Sequence, residues 1–177
     1  YYSGHTFMEV RNRLMLMTFF DTGIRVSELI DLKLSQVKDE YILIHGKGDK
    51  ERVVPKSPLL NKWMFKYLST RENFFAYRRV PENVFLSRNG RPMTTEAIHR
   101  VIKIAGKAVG VSRDIRVSPH TCRHTFAQMQ LKNGLDLYSL SRLMGHSNIS
   151  ITQRYLEGLR DFEVLNACKA TGILMNL

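Results

Sequence analysis

Ser118-Pro119-His120-Thr121-Cys122-Arg123-His124 opens with a helix cap followed by the residue suited to a first helical position. A serine oxygen accepts an otherwise orphaned backbone N–H, and proline at the next position gives up a donor that would have no partner there. The segment is therefore read as a helix start, running to a stop at Asn133-Gly134. Ser57-Pro58 repeats the signal, with Leu59, Leu60, Trp63, Met64, Tyr67 and Leu68 along the helix it opens.

Working outward, Phe7, Val10, Leu14 and Met17 recur at helical spacing, predicting an amphipathic helix that ends near Thr22-Gly23. A short helix carrying Val26, Leu29 and Ile30 leaves Arg25 at its start. Tyr41 to Ile44 and Arg52 to Val54 flank a Gly-Lys-Gly-Asp turn and read as a hairpin. Arg71 to Pro81 reads as a polar loop, and Val84-Phe85-Leu86 as a third short strand closed by a turn at Asn89-Gly90. Thr94 or Thr95 caps a helix bearing Ile98, Val101, Ile102, Ala105 and Val109. Asp136 caps another that ends at Gly145, and a last helix is expected over Ile149 to Tyr155. The expected fold is mainly α with a small antiparallel β-sheet, in a single domain over 1–177.

Lys and Arg number 27 against 16 Asp and Glu, a formal net charge of +11. That surplus argues for a polyanionic partner, nucleic acid or an anionic membrane surface. A membrane span needs roughly 20 apolar residues, and Arg11 and Arg13 interrupt the apolar N-terminal stretch. No signal-peptide pattern is present. Cys122 and Cys168 make no disulfide framework, so a reducing cytoplasm is the default expectation. The chain opens Tyr1-Tyr2 and not on Met, as expected of a fragment of a longer protein.

His120 and Arg123 stand at i and i+3 near a helix N-terminus, where free N–H groups and the positive dipole favour a phosphate. Taken alone the pair also reads as a solvated basic helix face. His120 and His124 mimic the outline of His-Glu-x-x-His, but Thr121 stands where the general-base Glu belongs and Arg123 lies between them, so no metal is expected. Arg25 and Glu28 read alone as an ordinary helix-surface ion pair. Lys47 lies in a turn that reads as a solvated hairpin tip; Gly48 follows it where a P-loop needs Ser or Thr. His146 follows Gly145 at a helix end, and Tyr155 alone reads as a packing residue.

In combination these stretches resemble the catalytic domain of the tyrosine recombinases, the phage-integrase family. The resemblance is carried by Thr22-Gly23-Ile24-Arg25 with Ser27-Glu28-Leu29, by Gly46-Lys47-Gly48-Asp49-Lys50-Glu51-Arg52-Val53-Val54-Pro55, by Ser118 to His124, and by Leu143-Met144-Gly145-His146-Ser147 with Thr152-Gln153-Arg154-Tyr155. It runs from about Phe7 to Gly158 and weakens across Arg71–Arg116.

The resemblance implies a site-specific recombinase that needs no metal or other cofactor. Tyr155 would be the nucleophile, Arg25 and Arg123 would hold the scissile phosphate, and His146 would donate a further hydrogen bond. His120 would accept the nucleophile's proton, Lys47 (with Lys50 as competing candidate) would be the general acid, and Glu28 would support the pocket. It further implies double-stranded DNA as partner, a homo-tetramer on DNA, and an N-terminal clamp domain outside this chain. The segment 161–177 would dock on a neighbouring protomer or pack on its own domain. The setting implied is the cytoplasm, bacterial or phage-associated, at the nucleoid. A rival reading takes Asp136 to Leu156 as a non-catalytic helix-turn-helix, which leaves Arg25, Lys47 and the His120/Arg123 pair without a role. A topoisomerase of the related tyrosine type would share the chemistry and only relax DNA.

Overall fold

The computed structural model describes Tyr2, residues 4–46 and residues 51–156. In chain order the elements are α1 (Phe7–Thr22), α2 (Val26–Asp31), a 3-10 turn (Leu34–Gln36), β1 (Tyr41–His45), β2 (Glu51–Pro55), α3 (Pro58–Phe74), α4 (Thr95–Ala108), α5 (Pro119–Lys132), α6 (Leu137–Met144) and α7 (Ser150–Gln153). The expected class, mainly helical with a small antiparallel sheet, is what the chain adopts.

The caps act where the sequence places them. Ser57, Thr94, Ser118 and Asp136 each accept a backbone N–H three residues on, satisfying one of the four orphan donors of a helix start. Helix α1 ends at Gly23, whose φ of 59° is the left-handed conformation of a helix stop. Its burial is wider than an amphipathic stripe. Met15, Thr18 and Phe19 are buried alongside Phe7, Val10 and Leu14, whereas Met17 is half-buried. The helix packs against both α3 and α5, so two of its faces meet protein.

Strands β1 and β2 pair antiparallel, with Ile42 opposite Val54 and Ile44 opposite Arg52. The expected third strand does not form. Residues 84–86 run in irregular backbone tied by isolated bridges, Lys33 to Asn83 and Leu86 to Pro92. The reason lies in α3, which continues through the expected loop as far as Phe74 and buries Arg71. The Arg71 guanidinium donates to the carbonyls of Pro81 and Asn83, while Val84 N–H donates to Leu32 O. Backbone groups that a strand neighbour would satisfy are met by a side chain and single bridges instead.

A large core joins α1, α3, α4 and the sheet around Leu14, Phe19, Ile42, Leu60, Tyr67 and Phe85. A smaller cluster of Phe126, Ala127, Leu140, Met144 and Tyr155 lies between α5, α6 and the segment after α7. The last helix is shorter than expected. It ends at Gln153, and Tyr155 follows in a turn with its N–H donated to Thr152 O at 3.0 Å. That tighter turn swings the Tyr155 ring into the small cluster and leaves it 7% exposed.

Candidate active site

Four separate parts of the chain meet in one cationic cluster: the start of α2, β2, α5 and the segment that follows α6. Arg25 is the N-cap residue of α2, held extended by the glycine turn before it. Its backbone N–H donates to Glu28 Oε2 at 2.8 Å, and its Nη1 donates to Glu28 Oε1 at 2.8 Å. One carboxylate thus fixes both ends of the arginine. Arg25 Nη2 donates to Gly145 O at 2.9 Å, reaching the far end of α6.

Arg123 arrives from the second turn of α5 and is buried. It donates to Gly23 O, to Met144 O at 2.7 Å and to His146, whose Nε2 lies 3.0 Å from Nη2. The carbonyls come from the last residue before α6 ends and from the glycine that ends α1. Helix C-termini carry partial negative charge and unpaired carbonyls, which suits a cation. Burial, then the neighbouring Arg25, pull the Arg123 pKa down to about 10, so it remains charged at neutral pH.

His146 follows the left-handed Gly145. Its Nδ1 lies 2.8 Å from Thr152 Oγ1. Burial, followed by the charges of Arg123, Arg25 and Arg52, depresses its pKa to about 4. The Tyr155 ring stacks on His146, with centroids 6.3 Å apart and planes 9° from parallel, and lies 5.1 Å from the His124 ring. His120, one turn before Arg123, is exposed. The arginine turns inward to the carbonyls of Gly23 and Met144, while the histidine stays exposed in the first turn of α5. Lys47 and Lys50 lie outside the described residues.

Three further residues take part to which the sequence assigned no role in this site. Arg52 meets Glu28 with two N–H groups and Leu143 O with a third. Thr152 holds His146, and the His124 ring lies against Tyr155. Strand alternation was the available signal for Arg52, since it shares a face with buried Val54. Among the described residues, then, two guanidinium groups, Arg25 and Arg52, hold a single carboxylate, and a third, Arg123, lies near enough to feel its charge. Hydrogen bonds from Arg52 and Arg25 hold the Glu28 pKa at about 2 against the upward push of burial. The pocket keeps a surplus of positive charge, with Arg25 only partly covered (38% exposed). Planar guanidiniums match a phosphate with paired hydrogen bonds. No group of three or more candidate metal ligands occurs among the described residues, and no described helix is long and apolar enough to cross a membrane.

A helical domain that brings a cationic pocket beside a tyrosine has the architecture of the tyrosine recombinase catalytic domains. The crystal structure of XerA recombinase superposes with a TM-score of 0.80 at 30% identity, covering 93% of this chain and 59% of that one. The XerH site-specific recombinase in its pre-cleavage complex with difH substrate gives 0.75 at 25% identity, over 90% of this chain and 46% of that one. The pattern of the phage integrase family matches residues 4–160, and the chain belongs to that family. Tyrosine recombinase XerD of Staphylococcus aureus (strain Mu50 / ATCC 700699) is 39% identical over 147 residues, 82% of this chain and 49% of the relative. XerD of Lacticaseibacillus casei is 39% identical over 148 residues, 82% of this chain and 50% of the relative. The chain spans about half the length of these curated relatives.

Proposed function

We propose that the protein containing this domain is a site-specific DNA recombinase that cuts and rejoins strands by transesterification, without a metal. The observation that carries the reading is Arg25 and Arg52 on Glu28, with Arg123 beside them on His146 and the ring of Tyr155 stacked on that histidine.

The Tyr155 phenol oxygen attacks a DNA phosphorus and passes its proton to His120. The bond from phosphorus to the 5′-oxygen breaks, leaving a 3′-phosphotyrosine, and Lys47 donates the proton that the departing oxygen needs. A free tyrosine has a pKa of about 10, so attack near neutral pH requires both a proton acceptor and nearby positive charge. Arg25 and Arg123 meet the charge that builds on the equatorial oxygens, in sites already fixed by carbonyls and by Glu28. A second DNA end reverses the steps, so the bond energy is retained and no nucleotide cofactor is consumed. Glu28 orients Arg25 and exchanges no proton.

In this reading the partner is double-stranded DNA and the working assembly is a homo-tetramer on it, with 161–177 docking on a neighbouring protomer. An N-terminal clamp domain would complete the grip on DNA.

The test is covalent capture. The intact protein is incubated with a library of nicked duplexes, denatured, and the DNA that stays attached is sequenced. Wild type should yield an adduct that survives denaturation and forms in EDTA, and Tyr155→Phe should yield none while binding DNA nearly as well. An undiminished adduct in Tyr155→Phe removes Tyr155 from the mechanism. Relaxation of supercoils without strand exchange would favour a topoisomerase.

A further inference from the structure

Arg52 stands apart from the expected catalytic set, yet it is tied more fully than Arg25. Its Nη1 and Nη2 donate to the two oxygens of Glu28 at 2.8 and 2.7 Å, and its Nε donates to Leu143 O at 2.9 Å. Its side chain is 11% exposed and that of Glu28 7%. Arg25 takes one oxygen of the same carboxylate for its side chain and the other for its backbone. The Arg52 fork therefore determines where the carboxylate stands, and the carboxylate determines where Arg25 stands.

The arginine reaches a second part of the pocket as well. Leu143 lies in the last turn of α6, directly before the Met144 and Gly145 carbonyls that receive Arg123 and Arg25. A Cβ placed on Gly145 would come within 3.0 Å of both Arg52 Cδ and Arg52 Nη1, so the stem fills the space against that turn. His146 follows at once. Arg52 also stands on β2, five residues after Lys47 in the sequence.

We infer that Arg52 is a positioning residue for strand cleavage: through Glu28 it places the Arg25 guanidinium, and through Leu143 and Gly145 it places the turn carrying His146. It thereby keys the β1–β2 hairpin to the phosphate pocket. This rests on reading Arg25 as a phosphate-binding residue. A lysine could not replace it, because one ammonium cannot span two carboxylate oxygens and a carbonyl in a plane.

The experiment measures single-turnover cleavage of the nicked duplex recovered by covalent capture, using the intact protein. The variants are Arg52→Gln, Arg52→Lys, Glu28→Gln and the Arg52→Gln/Glu28→Gln pair, with DNA affinity and thermal unfolding recorded for each. Arg52→Gln should slow cleavage by roughly 10- to 100-fold, the scale of a small misplacement of a transition-state contact, with DNA affinity little changed. The double variant should be no slower than the slower single, because the two residues act as one unit.

A pH profile separates positioning from general support of the fold. Glu28 faces Arg25 and Arg52, with Arg123 close by. Losing Arg52 removes the largest influence that holds Glu28 ionised, so the acid limb of cleavage should move to higher pH in Arg52→Gln. That move should be absent in the double variant, where position 28 does not titrate. If Arg52→Gln does not fold, Arg52→Lys carries the same comparison, keeping the charge while losing the fork. Cleavage by the folded variant within about twofold of wild type, or slowdowns that multiply in the double variant, would overturn the inference. Tyr155→Phe serves as the control: an adduct in that variant means the reading of the site itself has failed, not this inference.

Discussion

Arg123 Nη2 lies 3.0 Å from His146 Nε2, and the other nitrogen of that ring lies 2.8 Å from Thr152 Oγ1. A guanidinium has only donors to offer, so Nε2 accepts and the ring proton belongs on Nδ1, directed at the threonine. The histidine is thus held neutral in the tautomer that cannot donate toward Arg123. Donating a hydrogen bond to a phosphate requires a proton on Nε2.

An anion in the pocket should supply the condition for that proton. It would offset the fields of Arg123, Arg25 and Arg52, which reinforce burial in holding the His146 pKa at about 4. The pKa should therefore rise when sulfate binds, and rise further with a cleavable duplex bound to Tyr155→Phe. Histidine-selective NMR titration reads this directly. A His146 titration unmoved by either anion would mean that the pocket does not hold a phosphate beside this ring.

Elements whose signals are local were legible in the sequence. The serine, threonine and aspartate caps sit beside the N–H groups that they satisfy, and Gly23 and Gly145 end their helices in the left-handed conformation. What failed was set at a distance. Arg71 reads as loop because it is charged, but its charge is used inside, on the carbonyls of Pro81 and Asn83, at the place where a third strand was expected. Arg25, Glu28, Arg123 and His146 were legible from motif resemblance and do converge. Arg52, Thr152 and the placement of His124 against Tyr155 depend on which elements pack together, and a linear pattern does not carry that.

Gly23→Ala should be among the more damaging single-atom additions to the domain. The residue is buried at φ 59°, and a Cβ there would lie 2.3 Å from Phe126 Cδ1. The left-handed conformation costs an alanine about 1–2 kcal/mol, and overpacking costs about 1–3 kcal/mol more. The Gly23 carbonyl also receives Arg123, so the shift is transmitted to the pocket. Urea denaturation should show a loss of about 2–5 kcal/mol. A loss below about 1 kcal/mol would mean that Phe126 yields easily.

Acid should destabilise the fold in two stages. His146 and Glu28 both have depressed pKa values, to about 4 and about 2. A depressed group adds stability that is complete above its unfolded pKa and is lost as pH falls toward the folded one. His146, joined by His124, whose pKa burial also lowers, should act as pH falls from about 6.5. Glu28 should act from about 4.5 downward, at a scale of about 3 kcal/mol in full. Urea midpoints measured against pH should fall through both windows. Glu28→Gln should flatten the lower one, and an unchanged slope there would place the acid sensitivity on other carboxylates.

The general acid is expected among residues 47–50, which lie in sequence between β1 and β2. If Lys47 protonates the 5′-oxygen as the phosphorus–oxygen bond breaks, its loss should matter only for a poor leaving group. Sulfur in place of that bridging oxygen departs as a thiolate without needing a proton, since a thiol pKa is only about 8.5. Lys47→Ala should therefore cleave ordinary DNA very slowly and recover most of its rate on the 5′-thio duplex. Arg25→Ala and Arg123→Ala should recover far less, because the equatorial oxygens carry the same charge with either leaving atom. Lys50→Ala, measured in parallel, decides between the two lysines. Rescue of Lys50→Ala without rescue of Lys47→Ala would move the proton donor three residues along the chain. Rescue of neither would mean that the leaving oxygen takes its proton from elsewhere in the pocket.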